Sequence, residues 1–464
     1  MRTAGIILPL FSLPTSQGIG SMGRPAHEFI DFLEEAGQHQ WLMLPIGPTS
    51  YKDSPYQSFS AFAGNPYFID IGEYEDNDIH IDYNWLFQNR IGKLQQQYQE
   101  WIPQDDFYRF QQENIDWLKD YALFMALKVQ FNYSPWYKWP VPFRTHNQEA
   151  LNGYEKTNPE PIRFFEFIQY LFFTQWQDLR KKATQKQIQL IGDIPIYVAY
   201  DSVDVWCNPT LFMLDENLVP TKVAGVPPDY FSKTGQLWGN PLYNWDTMKQ
   251  NNYQWWVNRI AHQLKYFDQI RIDHFRGFDS FYAIESKYKT AKKGNWLPGP
   301  GIDLFRVLEE KLGKLPIIAE DLGFITPSVQ KLLEQTAYPG MRVLQFAFDE
   351  EESVHFPFHY PANCVAFTGT HDNPPLQAWI AALTSRQKKQ IKEKPSVFAL
   401  ITSVLHSKAN LVLIPLQDYL ELGKKARINQ PGTDENNWSW RLKESQLSDE
   451  LAFRIKKATK EANR

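Results

Sequence analysis

The sequence predicts an α/β chain folded as a (β/α)8 TIM barrel with large, mainly helical inserted segments. Short apolar runs bounded by turn residues recur eight times, and such runs read as strands buried on both faces. Helical stretches lie between many of them, the alternation of a closed parallel barrel rather than an open sheet. Three runs also end in a carboxylate: Asp273 in QIRIDHFRG, Glu320 in LPIIAEDLG and Asp372 in VAFTGTHDN. A parallel barrel carries its chemistry at the carboxyl ends of its strands.

The first strand is expected over Ala4 to Leu10. After it, PAHEFIDFLEEAG has Phe29, Phe32 and Leu33 at helical spacing and Gly37 as a stop. The second strand is Gln40 to Ile46, and the third, Ile188 to Val198, lies about 140 residues further on, far more than one crossover helix requires. Within that gap NIDWLKDYALFMALKVQF and PIRFFEFIQYLFFTQWQDLRKKA have helical periodicity, so roughly residues 74–186 are expected as a helical insertion. A second excursion, at roughly 207–246, is rich in Pro, Gly and aromatic residues and is expected to be loop-rich and close to the active site. The remaining strands are Gln269 to His274, Pro316 to Asp321, Arg342 to Phe348, Cys364 to Thr370 and Asn410 to Leu416. TPSVQKLLEQT follows the fifth, with Thr326 as cap and Pro327 as the first helical residue. The chain, 1–464, reads as one barrel with these two additions.

A composition of 43% hydrophobic and 22% charged residues fits a folded soluble protein. The net charge of −5 argues against a nucleic-acid partner, since no basic excess exists to neutralise phosphates. Cys207 and Cys364 are the only cysteines; they match no metal-ligand spacing and are too few for a secreted disulfide framework. Pro9 and Pro14 break the short apolar run near the N-terminus, and no run of eighteen apolar residues occurs, so no membrane association and a cytoplasmic location are expected. Gly18 to Gly23, GIGSMG, satisfies the dinucleotide pattern G-x-G-x-x-G, but Pro14 to Gln17 separate it from the preceding strand, whereas a nucleotide site needs the strand to run directly into the glycines.

Three carboxylates delivered to one rim suggest acid–base and nucleophilic work on a glycosidic bond. Arg271 and Asp273 are two apart on an extended chain, so they share a face, and the guanidinium favours a charged Asp273. That suits a glycosyl nucleophile. Glu320 and Asp321 face opposite sides of their strand, so only one of the two can face the site directly; a Glu at that rim can be held protonated by burial and nearby carboxylates. Asp372 can stabilise positive charge developing at the anomeric carbon. Taken singly, each acid could equally be a helix cap or a structural ion pair.

In order and spacing this trio resembles the nucleophile, acid/base and stabiliser of the retaining α-glucan enzymes of the α-amylase clan. The resemblance narrows to 4-α-glucanotransferases, the amylomaltase or disproportionating-enzyme family. It is carried by LPIGPTSYKDSPYQSFSAFAGNPYFID (Leu44 to Asp70), GDIPIYVAYDSVDVW (Gly192 to Trp206), GVPPDYFSKTGQLWGNPLYNW (Gly225 to Trp245) and ARINQPGT (Ala426 to Thr433), in one order along nearly the whole chain. The resemblance implies a glucan transfer from a donor to the 4-hydroxyl of an acceptor sugar, through a covalent glucosyl-Asp, acting on α-1,4-glucans and malto-oligosaccharides without metal or organic cofactor. It implies donor-side roles for Asp193, Arg271, His274 and His371. Tyr51, Ser54, Tyr56, Asp229, Tyr230, Gln236 and Trp238 would line the glucan path, and Asn429 would close the site from the eighth strand.

Family members usually follow His-Asp-Asn with Asp-Thr, whereas this chain reads HDNPPLQAW, and Pro374 stiffens the turn after Asp372. Aromatic residues reach 15%; Phe164, Phe165 and Trp176 on helical stripes are expected in the core, while Tyr51, Tyr56, Tyr230 and Trp238 in loops can meet sugar faces. Two rivals share the scaffold: a retaining α-glucan hydrolase with the same trio, and a catalytically silent glucan-binding protein. Oligomeric state, donor length and cyclic products leave no mark in the sequence.

Overall fold

A computed structural model describes residues 2–72, 80–228, 232–349, 352–391, 395–433 and 436–464. Its twelve strands are β1 (Thr3–Ile7), β2 (Gln40–Leu42), β3 (Gln189–Pro195), β4 (Lys222–Val226), β5 (Gln236–Pro241) and β6 (Gln269–Asp273), then β7 (Ser280–Glu285), β8 (Asn295–Pro298), β9 (Ile317–Ala319), β10 (Gly340–Val343), β11 (Cys364–Phe367) and β12 (Leu411–Pro415). Eight of them close a parallel barrel in the order β1, β12, β11, β10, β9, β6, β3, β2. Each corresponds to one of the eight apolar runs. The tenth is a correction in extent: after Val343 the chain leaves the expected strand Arg342 to Phe348 and coils into a 3-10 helix over Leu344–Asp349.

The barrel interior is a separate apolar cluster that includes Ile191, Ile318, Met341, Val365, Phe367 and Leu413. Side chains two apart share a strand face, so the inward row begun by Ile191 continues to Asp193, and the row begun by Ile318 continues to Glu320. The same alternation turns Asp321 outward, where its carboxylate accepts the Met341 N–H at 2.5 Å and pairs with Arg342 at 3.1 Å. Apolar residues fill the floor; charged residues crown it.

Between β2 and β3 the described chain is helical, ending in the 27-residue helix Pro159–Gln185 that packs on Leu118–Gln130. Phe164, Phe165 and Trp176 are buried there, as their stripe required. Two side-chain amides dock this helix to the loop after β2: Gln169 exchanges both bonds with the Gly64 backbone (2.8 and 3.0 Å), and Gln175 does so with Asp70 (2.7 and 3.0 Å). Helix Pro327–Thr336 starts as its sequence dictates, Thr326 accepting the Val329 N–H.

The 207–246 excursion, expected to be loop-rich, instead supplies β4 and β5, which join β7 and β8 in an antiparallel sheet ordered β5, β4, β7, β8. Its short strands, interrupted by Gly225, Gly235 and Gly239, lack the alternation that would mark them in sequence.

Candidate active site

The register of the barrel builds the site. Asp193 lies beside Arg271 on β3 and β6, and Ile272 lies beside Ala319 on β6 and β9. One residue further along each strand, Asp273 and Glu320 reach the same level of the rim, on chains that neighbour each other in the sheet. The Glu320 N–H donates to the Ile272 carbonyl at 3.1 Å and the Phe275 N–H to the Glu320 carbonyl at 3.1 Å, fixing that alignment.

Arg271 is the hub. Its Nη1 donates to Asp193 Oδ2 at 2.6 Å, its Nη2 to Asp273 Oδ1 at 2.8 Å, and its Nε rests on the Met341 sulfur at the floor of the rim. Arg271 and Asp193 are buried, whereas the Asp273 side chain keeps 31% of its surface exposed, so it is the member of the network open to a ligand. Burial raises the Asp193 carboxyl above its ordinary value, and the Arg271 charge opposes that rise. Tyr56 donates to the same Asp193 oxygen at 2.6 Å and stacks on His371, with ring centroids 5.1 Å apart.

Glu320 is buried, and each of its oxygens accepts one backbone N–H: Oε1 from Leu322 at 2.8 Å and Oε2 from His274 at 2.7 Å. These bonds favour the carboxylate, yet burial first and the Asp273 charge second push its pKa up to about 8. His274, in the left-handed region at φ 54°, turns the chain sharply out of β6. Burial holds its imidazole down to about 4, so the ring is neutral at physiological pH, and it meets the edge of Trp238 at 4.9 Å. Trp238 in turn donates to Gln236 Oε1 at 3.1 Å across β5.

Asp372 leaves the seventh barrel strand on a turn closed by Asn373, whose Oδ1 accepts from the Thr370 N–H and hydroxyl at 2.9 and 3.0 Å. Asn429 donates to Asp372 Oδ1 at 2.6 Å, and His371 Nε2 lies 3.4 Å from the same oxygen. Pro374 and Pro375 bring no N–H to this turn. The helix Leu376–Ala382 begins immediately after them, and the buried Asp418 carboxylate accepts its first N–H, from Leu376, at 2.7 Å. Gln345 donates to the Pro374 carbonyl at 2.9 Å.

The structure thus joins Tyr56, Asp193, Arg271, Asp273, His274, Glu320, His371, Asp372, Asn429, Gln236 and Trp238 around one mouth. Ser54 supports Tyr56 from its own loop, its hydroxyl accepting the Tyr56 N–H at 3.3 Å. Asp229, Tyr230 and the side chain of Tyr51 lie outside the described residues. Two supporting residues escaped the sequence reading. Arg427 donates to the Asp372 carbonyl and, at 2.7 Å, to the Asn429 carbonyl; Trp438 packs its ring 5.8 Å from both Tyr56 and His371. Arg427 stands inside the quoted ARINQPGT string, which was its one available signal.

No helix among the described residues is long and apolar enough to cross a membrane. A family model described as 4-alpha-glucanotransferase matches residues 8–447. A 4-alpha-glucanotransferase of Clostridium butyricum is 44% identical over 97% of this chain and 98% of its own. The Thermus thermophilus 4-alpha-glucanotransferase is 42% identical, covering 98% of this chain and 97% of its own. A solved amylomaltase from Streptococcus agalactiae, in complex with acarbose, superposes with a TM-score of 0.97 at 38% identity, with 100% of both chains covered. Fold, rim and sequence therefore agree along the whole length, and this chain belongs to the 4-alpha-glucanotransferase family of enzymes.

Proposed function

We propose that this enzyme moves α-1,4-glucan segments between malto-oligosaccharides by a double displacement at the Asp273–Glu320 pair. With Oδ1 engaged by Arg271, Asp273 Oδ2 attacks the anomeric carbon. The glycosidic C–O bond breaks as Glu320 gives its proton to the departing oxygen, leaving a glucosyl ester on Asp273. An acceptor 4-hydroxyl then loses its proton to Glu320 and displaces Asp273, which restores the enzyme with the original anomeric configuration.

The observation that carries this reading is a buried Glu320, its pKa pushed up by that burial, set level with an Arg271-bound Asp273 on the adjacent strand. Adjacent strands lie about 4.7–4.9 Å apart, which suits the close carboxyl spacing of roughly 5 Å in retaining chemistry rather than the wider inverting gap. Asp372, oriented by Asn429, supports the oxocarbenium-like transition state. Asp193 Oδ1 is buried with no hydrogen-bond partner among the described residues, and a donor-sugar hydroxyl would satisfy it. The Streptococcus agalactiae amylomaltase was solved in complex with acarbose, which supports a glucan-like ligand for this enzyme.

Maltotriose as sole substrate tests the reading. Separation of the products is expected to give chains longer than maltotriose together with glucose. A yield of glucose and maltose only would make the enzyme a hydrolase, and binding without products would overturn the catalytic assignment altogether.

The Glu320 value sets a pH dependence. Glu320 must hold its proton for the first step, so kcat/KM is expected to fall with an alkaline limb near pH 8. A profile that stays flat to about pH 9.5 would contradict the assignment. The same shift bears on stability. Folded Glu320 keeps its proton up to about pH 8, whereas in the unfolded chain it titrates at the ordinary 4.5. Between those values the folded state binds the extra proton, so this group alone makes the fold lose stability as pH rises through that window.

A further inference from the structure

Apart from the rim residues, three side chains of different chemistry meet: Asp120, His146 and Cys207. Asp120 lies in the first turn of helix Leu118–Gln130, His146 in the turn between helices Val141–Arg144 and Gln148–Thr157, and Cys207 ends helix Val203–Cys207. One donor atom from each falls within 4.8 Å of the other two. All three residues are half-buried, so the cluster is neither a solvated surface group nor sealed core.

We infer that these residues form a zinc site, with Asp120 oxygen, His146 Nε2 and Cys207 sulfur as ligands and water in the fourth position. The Cys207 sulfur and His146 Nε2 are 3.7 Å apart. A tetrahedral zinc with Zn–S of about 2.3 Å and Zn–N of about 2.0–2.1 Å separates sulfur and nitrogen by about 3.6 Å, so little movement is needed to admit the ion. A thiolate, an imidazole and a carboxylate together suit zinc, whereas magnesium and calcium take oxygen-only sets.

The arrangement argues against a nucleophilic triad. There the acid must orient the imidazole nitrogen remote from the thiol. Here an Asp120 oxygen lies within 4.8 Å of the Cys207 sulfur as well as of the imidazole nitrogen, so acid and imidazole converge on one point with the sulfur. The imidazole is held in place by Trp206, with ring centroids 4.4 Å apart, and Trp206 Nε1 is tied to the Phe143 carbonyl at 2.8 Å. No short motif signals the set, because each ligand comes from a different element. Binding converts the thiol to a zinc thiolate and releases its proton to solvent.

The site joins the helices between β2 and β3 to the segment that supports the catalytic mouth. Val203 N–H donates to the Phe59 carbonyl at 2.9 Å, and Asp204 Oδ2 accepts the Ala61 N–H at 2.8 Å, so the helix ending in Cys207 braces the loop that carries Tyr56. Zinc bound only by the folded chain raises the melting temperature with the logarithm of ligand excess over Kd.

The full-length protein, stripped with EDTA and dialysed, is titrated with zinc sulfate by calorimetry, and with cobalt chloride under an ultraviolet–visible spectrometer. One zinc per chain is expected, with a rise in Tm, and the cobalt adduct should have a thiolate-to-metal charge-transfer band. Cys207→Ser is expected to abolish that band and weaken zinc by more than the roughly 10–100-fold typical of losing an outer partner. His146→Gln serves as the second variant, keeping the band's sulfur while losing affinity. Zinc binding of equal strength in wild type and both variants would overturn the site, as would the absence of stoichiometric binding to the wild-type protein.

Discussion

An Asp273→Asn enzyme is expected to lose about 10⁴-fold or more in kcat on maltotriose while keeping its fold and its affinity for glucan. The amide has the shape of the carboxylate but cannot form the glucosyl ester, so the first bond change has no nucleophile. The structural cost is small. Arg271 keeps its 2.6 Å bond to the buried Asp193, the amide Oδ1 can still accept from it, and the charge that is lost belongs to a side chain still 31% exposed. About 1 kcal/mol or less of stability should disappear. Steady-state rates beside thermal unfolding and maltotriose titration check all three parts. An unfolded variant would contradict the small structural cost, and a folded one with ordinary turnover would remove Asp273 from the reaction.

A Glu320→Gln enzyme should fail differently. With maltotriose, both half-reactions lose their proton donor and acceptor, and a fall of about 10²–10⁴-fold in kcat is expected. With α-glucosyl fluoride, fluoride departs without needing a proton, so the first step proceeds and only the second stalls. The variant is therefore expected to release a burst of fluoride equal to the enzyme concentration and then slow. Stability falls modestly: the Gln carbonyl can accept only one of the two backbone N–H groups from His274 and Leu322, and the donor left unpaired costs about 1–3 kcal/mol. Steady fluoride release at the wild-type rate would show that Glu320 is not the base.

The barrel was legible because every one of its strands is an apolar run ended by turn residues, and each acid sits just beyond such an end. The alternation of strand faces also required that only one of Glu320 and Asp321 face the site, and the structure turns Glu320 inward and Asp321 outward. Less was legible where structure comes from contacts remote in sequence. The antiparallel sheet of β4, β5, β7 and β8 is built from short strands without strict alternation, and half of it comes from beyond β6. Arg427 and Trp438 act through the backbone of Asp372 and the faces of Tyr56 and His371, contacts that only the closed barrel creates. The Asp120–His146–Cys207 cluster is the extreme case, since its members share no element and no spacing. The proline pair after Asp372 lies between these extremes. Its stiffness follows from the residue types, but its accommodation depends on Asp418, which receives the first free N–H beyond it.

The account stands on a covalent bond between the sugar and Asp273. Glu320→Gln protein mixed with α-glucosyl fluoride, quenched in acid, digested and mapped by mass spectrometry, tests that bond directly. The account expects one glucosyl unit on the peptide that contains Asp273, appearing with the fluoride burst. A label on another carboxylate, or fluoride release without any labelled peptide, would contradict it.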